Sequence, residues 1–110
     1  MRLPSGEKAI VDSVKLRDYC LSMNHPEGRH KARVFMSALG LTAEQAHELE
    51  AALLSAARDG EANVTDRDQY GQRYAVDFRM ERGEREATIR SSWIIRRGEK
   101  YPRLTSCYVL

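Results

Sequence analysis

The chain has 110 residues, 42% of them hydrophobic and 31% charged, with a formal charge of +2. That composition excludes a disordered protein and describes one globular domain large enough to bury a core without disulfides or metals. The charge is too small to argue for nucleic acid by its size alone. Its distribution says more: Arg79–Leu110 holds eight basic residues against four acidic ones, while acidic residues collect between Glu44 and Asp68. Such an asymmetric field favours an anionic partner on one face.

The elements follow in chain order. Leu3–Val11 is a lead-in broken by Pro4 and Gly6, with Ala9–Val11 read as a brief strand. Asp12 or Ser13 caps a first helix over about Val14–Ser22, where Leu16, Tyr19 and Cys20 share one face. Asn24-His25-Pro26-Glu27-Gly28 then breaks the chain, because proline disfavours helix before it and glycine permits a turn. A second helix spans about Arg29–Leu39 with Ala32, Phe35, Met36 and Leu39 as its buried stripe, and Gly40 stops it. Thr42-Ala43-Glu44-Gln45 is a capping box that starts a third helix reaching about Arg58. On it Leu49, Ala52, Leu53 and Ala56 face the core, and Glu44, Glu48 and Glu50 face solvent.

After Gly60 the period changes. Glu61–Gln69 is polar and reads as a loop with at most a short extended piece at Ala62–Val64. Tyr74, Val76, Phe78 and Met80 alternate with polar neighbours, as in a half-buried strand. Arg82-Gly83 turns the chain into a long strand over Glu86–Arg97, with Ala87, Ile89, Ser91, Trp93 and Ile95 on one face. Gly98–Pro102 reverses the chain again, and Leu104–Leu110 is the last strand. The expected architecture is α+β: about three N-terminal helices on one face of a C-terminal antiparallel sheet of three to four strands.

The most chemically loaded stretch is His25–Phe35, with two His, two Arg and a Lys at a helix start, where backbone N–H groups and cations together favour anions. Cleaving RNA without a metal needs a base for the 2′-hydroxyl, an acid for the leaving 5′-oxygen and cations around the phosphate. His30, Lys31, Arg90 and a hydroxyl from Thr105 or Tyr108 supply those parts if the sheet presents them to the second helix. Arg29, Arg33, Arg96 and Arg103 are the candidate RNA contacts. Each residue also has a plain structural role available: a local turn bond for His25, core packing for Trp93 and Phe78, and edge protection for Arg96, Arg97 and Arg103. No metal ligand set is visible, no P-loop, GxGxxG, GxSxG or CxxC motif occurs, and no cofactor is expected. Cys20 and Cys107 form no metal or disulfide pattern and read as buried thiols. With no signal peptide or membrane span in the sequence, the expected location is the cytoplasm.

Residues at both ends carry a resemblance. Leu3-Pro4, Lys15–Tyr19, His25-Pro26, His30–Phe35 and Leu39–Leu41, with Tyr70–Tyr74, Trp93–Arg96 and Pro102–Leu110, resemble a family of short bacterial proteins known as a domain of unknown function. More distantly, Gly28-x-His30-Lys31 and Thr105–Tyr108 resemble ribonuclease toxins of the barnase/EndoU/colicin/RelE-like group. That likeness implies a helix-borne catalytic position at His30 and Lys31 and a strand-borne one at Thr105 or Tyr108. It further implies a metal-independent ribonuclease toxin of a two-gene conflict system, with RNA as substrate and a small cognate protein encoded nearby as partner. The chain departs from a two-histidine arrangement, since its other histidines are His25 and His47, and the second role falls to Arg90, Thr105 or Tyr108. A different reading is a partner-binding module without catalysis, of antitoxin or immunity type, or a nucleic-acid-binding accessory protein.

Overall fold

The computed structural model describes residues 1–110 and is α+β: helices from the N-terminal half lie against one face of a four-stranded antiparallel meander. Asp12 caps the first helix, its carboxylate accepting from the N–H groups of Val14 and Lys15. The helix α1, Ser13–Lys15, runs at once into a π-helical turn over Leu16–Cys20, closed by Leu21 N–H onto the Leu16 carbonyl. It is shorter than the periodicity suggests, and the wide turn places Leu16, Cys20 and Leu21 in the core together.

Helix α2, Arg29–Leu39, ends at Gly40, whose φ of 66° is the left-handed conformation that glycine adopts without penalty. Gly40 and Leu41 return their N–H groups to the Met36 and Phe35 carbonyls. Arg82 and Arg85, reaching over from the sheet, donate to the last carbonyls of α2 at Met36, Ser37, Leu39 and Gly40, where cations also suit the helix dipole. The capping box forms as expected, Thr42 and Gln45 exchanging bonds around a 3-10 turn at Ala43–Gln45 that leads into α3, Ala46–Asp59.

Strands β1 (Ala62–Asp68), β2 (Gly71–Arg82), β3 (Arg85–Arg96) and β4 (Arg103–Val109) pair in sequence order. The inner face carries Tyr74, Val76, Ile89, Trp93, Leu104 and Cys107 against Leu16, Phe35, Leu39, Leu49 and Leu53 of the helices. Within this core Ser91 Oγ donates to the Val76 carbonyl at 2.7 Å and accepts from Trp93 Nε1 at 2.9 Å, so the buried indole is satisfied. Cys20 and Cys107 are free thiols in the same core. The thiol–thiol contact with Cys107 is what chiefly lowers Cys20, against the opposing effect of burial, and the same contact, with burial, pushes Cys107 up. No helix is long and apolar enough to cross a membrane.

Four expectations need correction. The polar segment after Gly60 is not a loop but the whole of β1; beyond Ala62 it is solvent-exposed on both faces, so its ladder with β2 holds it without any hydrophobic alternation to betray it. Met36 is 47% exposed and lies outside the core, because α2 turns residues 32, 35 and 39 inward. Glu48 is not free in solvent but forked by Arg82. Ala9–Val11 contributes only a parallel bridge from Ile10 to Arg103, which occupies part of the outer edge of β4.

A candidate polar site between helix α2 and strand β4

The turn before α2 sets the site. His25 Nδ1 accepts from the backbone N–H groups of Glu27 and Gly28 at 3.1 and 3.0 Å, and its ring meets Tyr19 edge-on at 4.5 Å. A side chain at Gly28 would place Cβ 2.2 Å from the Tyr19 carbonyl oxygen, so only glycine lets the turn close against the π-helical segment. His25 is thus a structural histidine. Its turn aims the first residues of α2 at the edge of the sheet.

Lys31 crosses that gap. Its ammonium donates to Ser106 Oγ at 3.0 Å and sits 5.6 Å from the Tyr19 ring centre and 5.5 Å from that of Tyr108. The two aromatic rings and the hydroxyl together fix the ammonium in place. His30, Lys31, Val34, Tyr108 and Val109 line a shallow hollow of about 260 Å³. The His30 imidazole is exposed there and makes no hydrogen bond to another side chain.

Strand register brings Arg90 alongside. Arg90 pairs with Tyr108 across β3 and β4 and with Asp77 across β2 and β3. Its guanidinium is forked by Asp77, both bonds at 2.8 Å. This pair holds the Asp77 carboxyl below the usual carboxylate range, and Asp77, then Tyr108, raise Arg90 above its own. Arg90 therefore offers an anion a charge already shared with a neighbour.

The other sequence candidates lie elsewhere. Thr105 is the extra residue of a β-bulge opposite Ser92 and Trp93; its hydroxyl donates to the Ser92 carbonyl and it lines a separate hollow with Tyr70, Arg73, Ile94 and Arg96. Arg103 is forked by Glu99 and lies 5.2 Å over Tyr101. Arg29 and Arg33 are exposed on α2, and Arg96 is exposed at the end of β3. His30, Lys31 and Tyr108 thus share the hollow, with Arg90 across the strands from Tyr108, whereas Thr105 and Arg103 do not join them.

Sequence reasoning missed Tyr19 and Asp77 as partners of this site. Tyr19 reads as one more apolar position of a helix face, and no local signal announces that its ring would meet Lys31. Asp77 lies opposite Arg90 once the hairpin register is known, which the two-residue turn at Gly83-Glu84 determines.

No curated protein and no solved structure matches the chain. A family model described as "Domain of unknown function (DUF6883)" matches residues 2–110, essentially the whole sequence, and the chain belongs to that family.

Proposed function

We propose that this protein is a metal-independent ribonuclease acting at the hollow between α2 and β4, as the toxin of a bacterial two-gene toxin–antitoxin or related conflict system. The observation that supports it is the meeting of His30 and Lys31 with Tyr108 in one open hollow, from the two ends of the chain. In the proposed reaction the RNA 2′-oxygen attacks phosphorus while His30 takes its proton. The bond from phosphorus to the 5′-oxygen breaks, and the Tyr108 hydroxyl protonates that leaving oxygen. Lys31, with Arg90 beside Tyr108, stabilises the charge on the phosphoryl oxygens. Tyr108 takes the strand-borne role in preference to Thr105, whose hydroxyl is committed to the Ser92 carbonyl. RNA is the substrate, so the cytoplasm is where the enzyme would act.

Purified protein incubated with total RNA in EDTA tests this. His30→Ala should lower cleavage by about 10²–10⁴-fold, the span of one general acid–base group, with melting unchanged. Folded wild-type protein that leaves every RNA intact overturns the reading.

A second reading is a binding module for a small acidic protein encoded nearby. It draws on Val34 and Met36, 44% and 47% exposed on α2 next to the exposed Arg29 and Arg33. A stable complex with the neighbouring gene product, together with an inert wild type, favours it.

A further inference from the structure

The face of the sheet turned away from the helices carries a second set of groups. Along β3 it presents Arg90, Ser92, Ile94 and Arg96 in turn, flanked by Arg73 of β2 and by Tyr108 and Thr105 of β4. Ile94 is only 5% exposed although no helix covers it; it forms the floor of a hollow of about 430 Å³ whose walls are Tyr70, Arg73, Arg96 and Thr105. Tyr70, at the β1–β2 turn, is 61% exposed. An apolar floor beside an exposed aromatic ring is a place for a flat, partly apolar group to stack.

Beyond it, Arg96 also lines a recess of about 340 Å³ with Arg67 and Arg97 at the tips of the two hairpins. None of these three guanidiniums has a carboxylate partner within salt-bridge reach. The neighbouring acids are already engaged: Asp68 by Arg73 at 2.8 Å and Glu99 by Arg103 at 3.0 Å. Asp66 accepts instead from the backbone N–H of Arg67. Three uncompensated arginines around one recess attract phosphate groups.

We propose that this helix-free face is a track for single-stranded RNA, running from the α2/β4 hollow over Ile94 and Tyr70 to the Arg67/Arg96/Arg97 cluster. The assignment of RNA rests on the ribonuclease reading. The six residue steps from Arg90 to Arg96 span about 20 Å at strand rise, or about six nucleotides at stacked spacing and fewer when the strand is extended. Single strands fit because a base in a duplex has both faces covered and cannot lie on Tyr70 and Ile94.

Binding is measured by fluorescence anisotropy with a labelled decanucleotide RNA that is 2′-O-methylated throughout and so cannot be cleaved. The double variant Arg96→Ala/Arg97→Ala should bind about tenfold or more weakly, and the slope of log affinity against log salt should drop by about 1.4, for two lost phosphate contacts on a single strand. Tyr70→Ala should weaken binding by about tenfold through lost stacking. A dinucleotide should bind all variants as it binds wild type, and Arg58→Ala on α3 should change nothing. All four side chains are exposed, and circular dichroism melting confirms that the variants fold. Tip variants with wild-type affinity and salt slope overturn the track even where wild type cleaves RNA, and so does equal affinity for a blunt duplex. Wild type that binds in this manner yet cleaves nothing leaves the track standing and overturns only the ribonuclease reading.

Discussion

The Ser91 hydroxyl is the most exposed to a quantitative test, because its two partners lie wholly inside the core. Ser91→Ala removes the acceptor of Trp93 Nε1–H and the donor to the Val76 carbonyl. The carbonyl loses a neutral hydrogen bond, about 1 kcal/mol, and the indole N–H is left buried without a partner, which brings the total to about 2 kcal/mol. Unfolding entropy near 2.1 cal/mol/K per residue gives about 0.23 kcal/mol/K for this chain, so Tm should fall by about 9 °C. Trp93→Phe removes the indole N–H in advance. In that background Ser91→Ala should cost only about 1 kcal/mol, or about 4 °C. Far-UV circular dichroism melts of wild type, both single variants and the double variant complete the cycle, with urea unfolding checking that m is unchanged. Equal losses in the two backgrounds would refute the reasoning, since the indole would then have another partner or none that matters.

Further outcomes are expected. Phe35→Ala should destabilise by about 3–5 kcal/mol, whereas Met36→Ala should stay within about 0.5 kcal/mol, because only the first side chain is buried; urea midpoints separate them. His25→Ala should cost about 1 kcal/mol by leaving two N–H groups of the α2 turn uncapped, and RNA cleavage should survive it. Arginine partners depress Glu48, Asp68, Asp77, Glu86 and Glu99, so the native state binds fewer protons than the unfolded chain; their stabilisation is complete above the unfolded carboxylate range and is lost as pH falls through the depressed values. Tm should therefore decline on acidification below about pH 4, and less so in a Glu48→Gln/Asp77→Asn variant. Cys20 and Cys107, both wholly buried, should react with a thiol reagent in urea but only slowly in native buffer.

Much of the fold could be read locally because its signals are local. A capping box, a glycine after a helix and a period of two in Tyr74–Met80 each depend on a few adjacent residues and are found where expected, while the turn expected at Arg82-Gly83 falls one residue on, at Gly83-Glu84. The helices-then-strands order, and with it α+β, follows from the switch of period after Gly60. Strand β1 escaped because its residues bury almost nothing; it is held by backbone bonds to β2, which leave no mark on side-chain pattern.

The site was legible only as a set of residue types. Strict alternation would put Leu104, Ser106 and Tyr108 on one face of β4. The bulge at Thr105 shifts the register, so Leu104 joins Trp93 and Cys107 in the core while Ser106 and Tyr108 turn to the open face beside Arg90. A single extra residue reverses every orientation beyond it, and a bulge is chosen by the packing of both strand ends rather than by the residue that forms it. Likewise the basic character of Arg90, Arg96, Arg97 and Arg103 is written in the sequence, but which of them remain free is not. Asp77 and Glu99 neutralise two, and Arg96 and Arg97 are left uncompensated at the hairpin tips. Charge belongs to a residue, whereas its availability to a ligand depends on which opposite charge the strand register sets beside it.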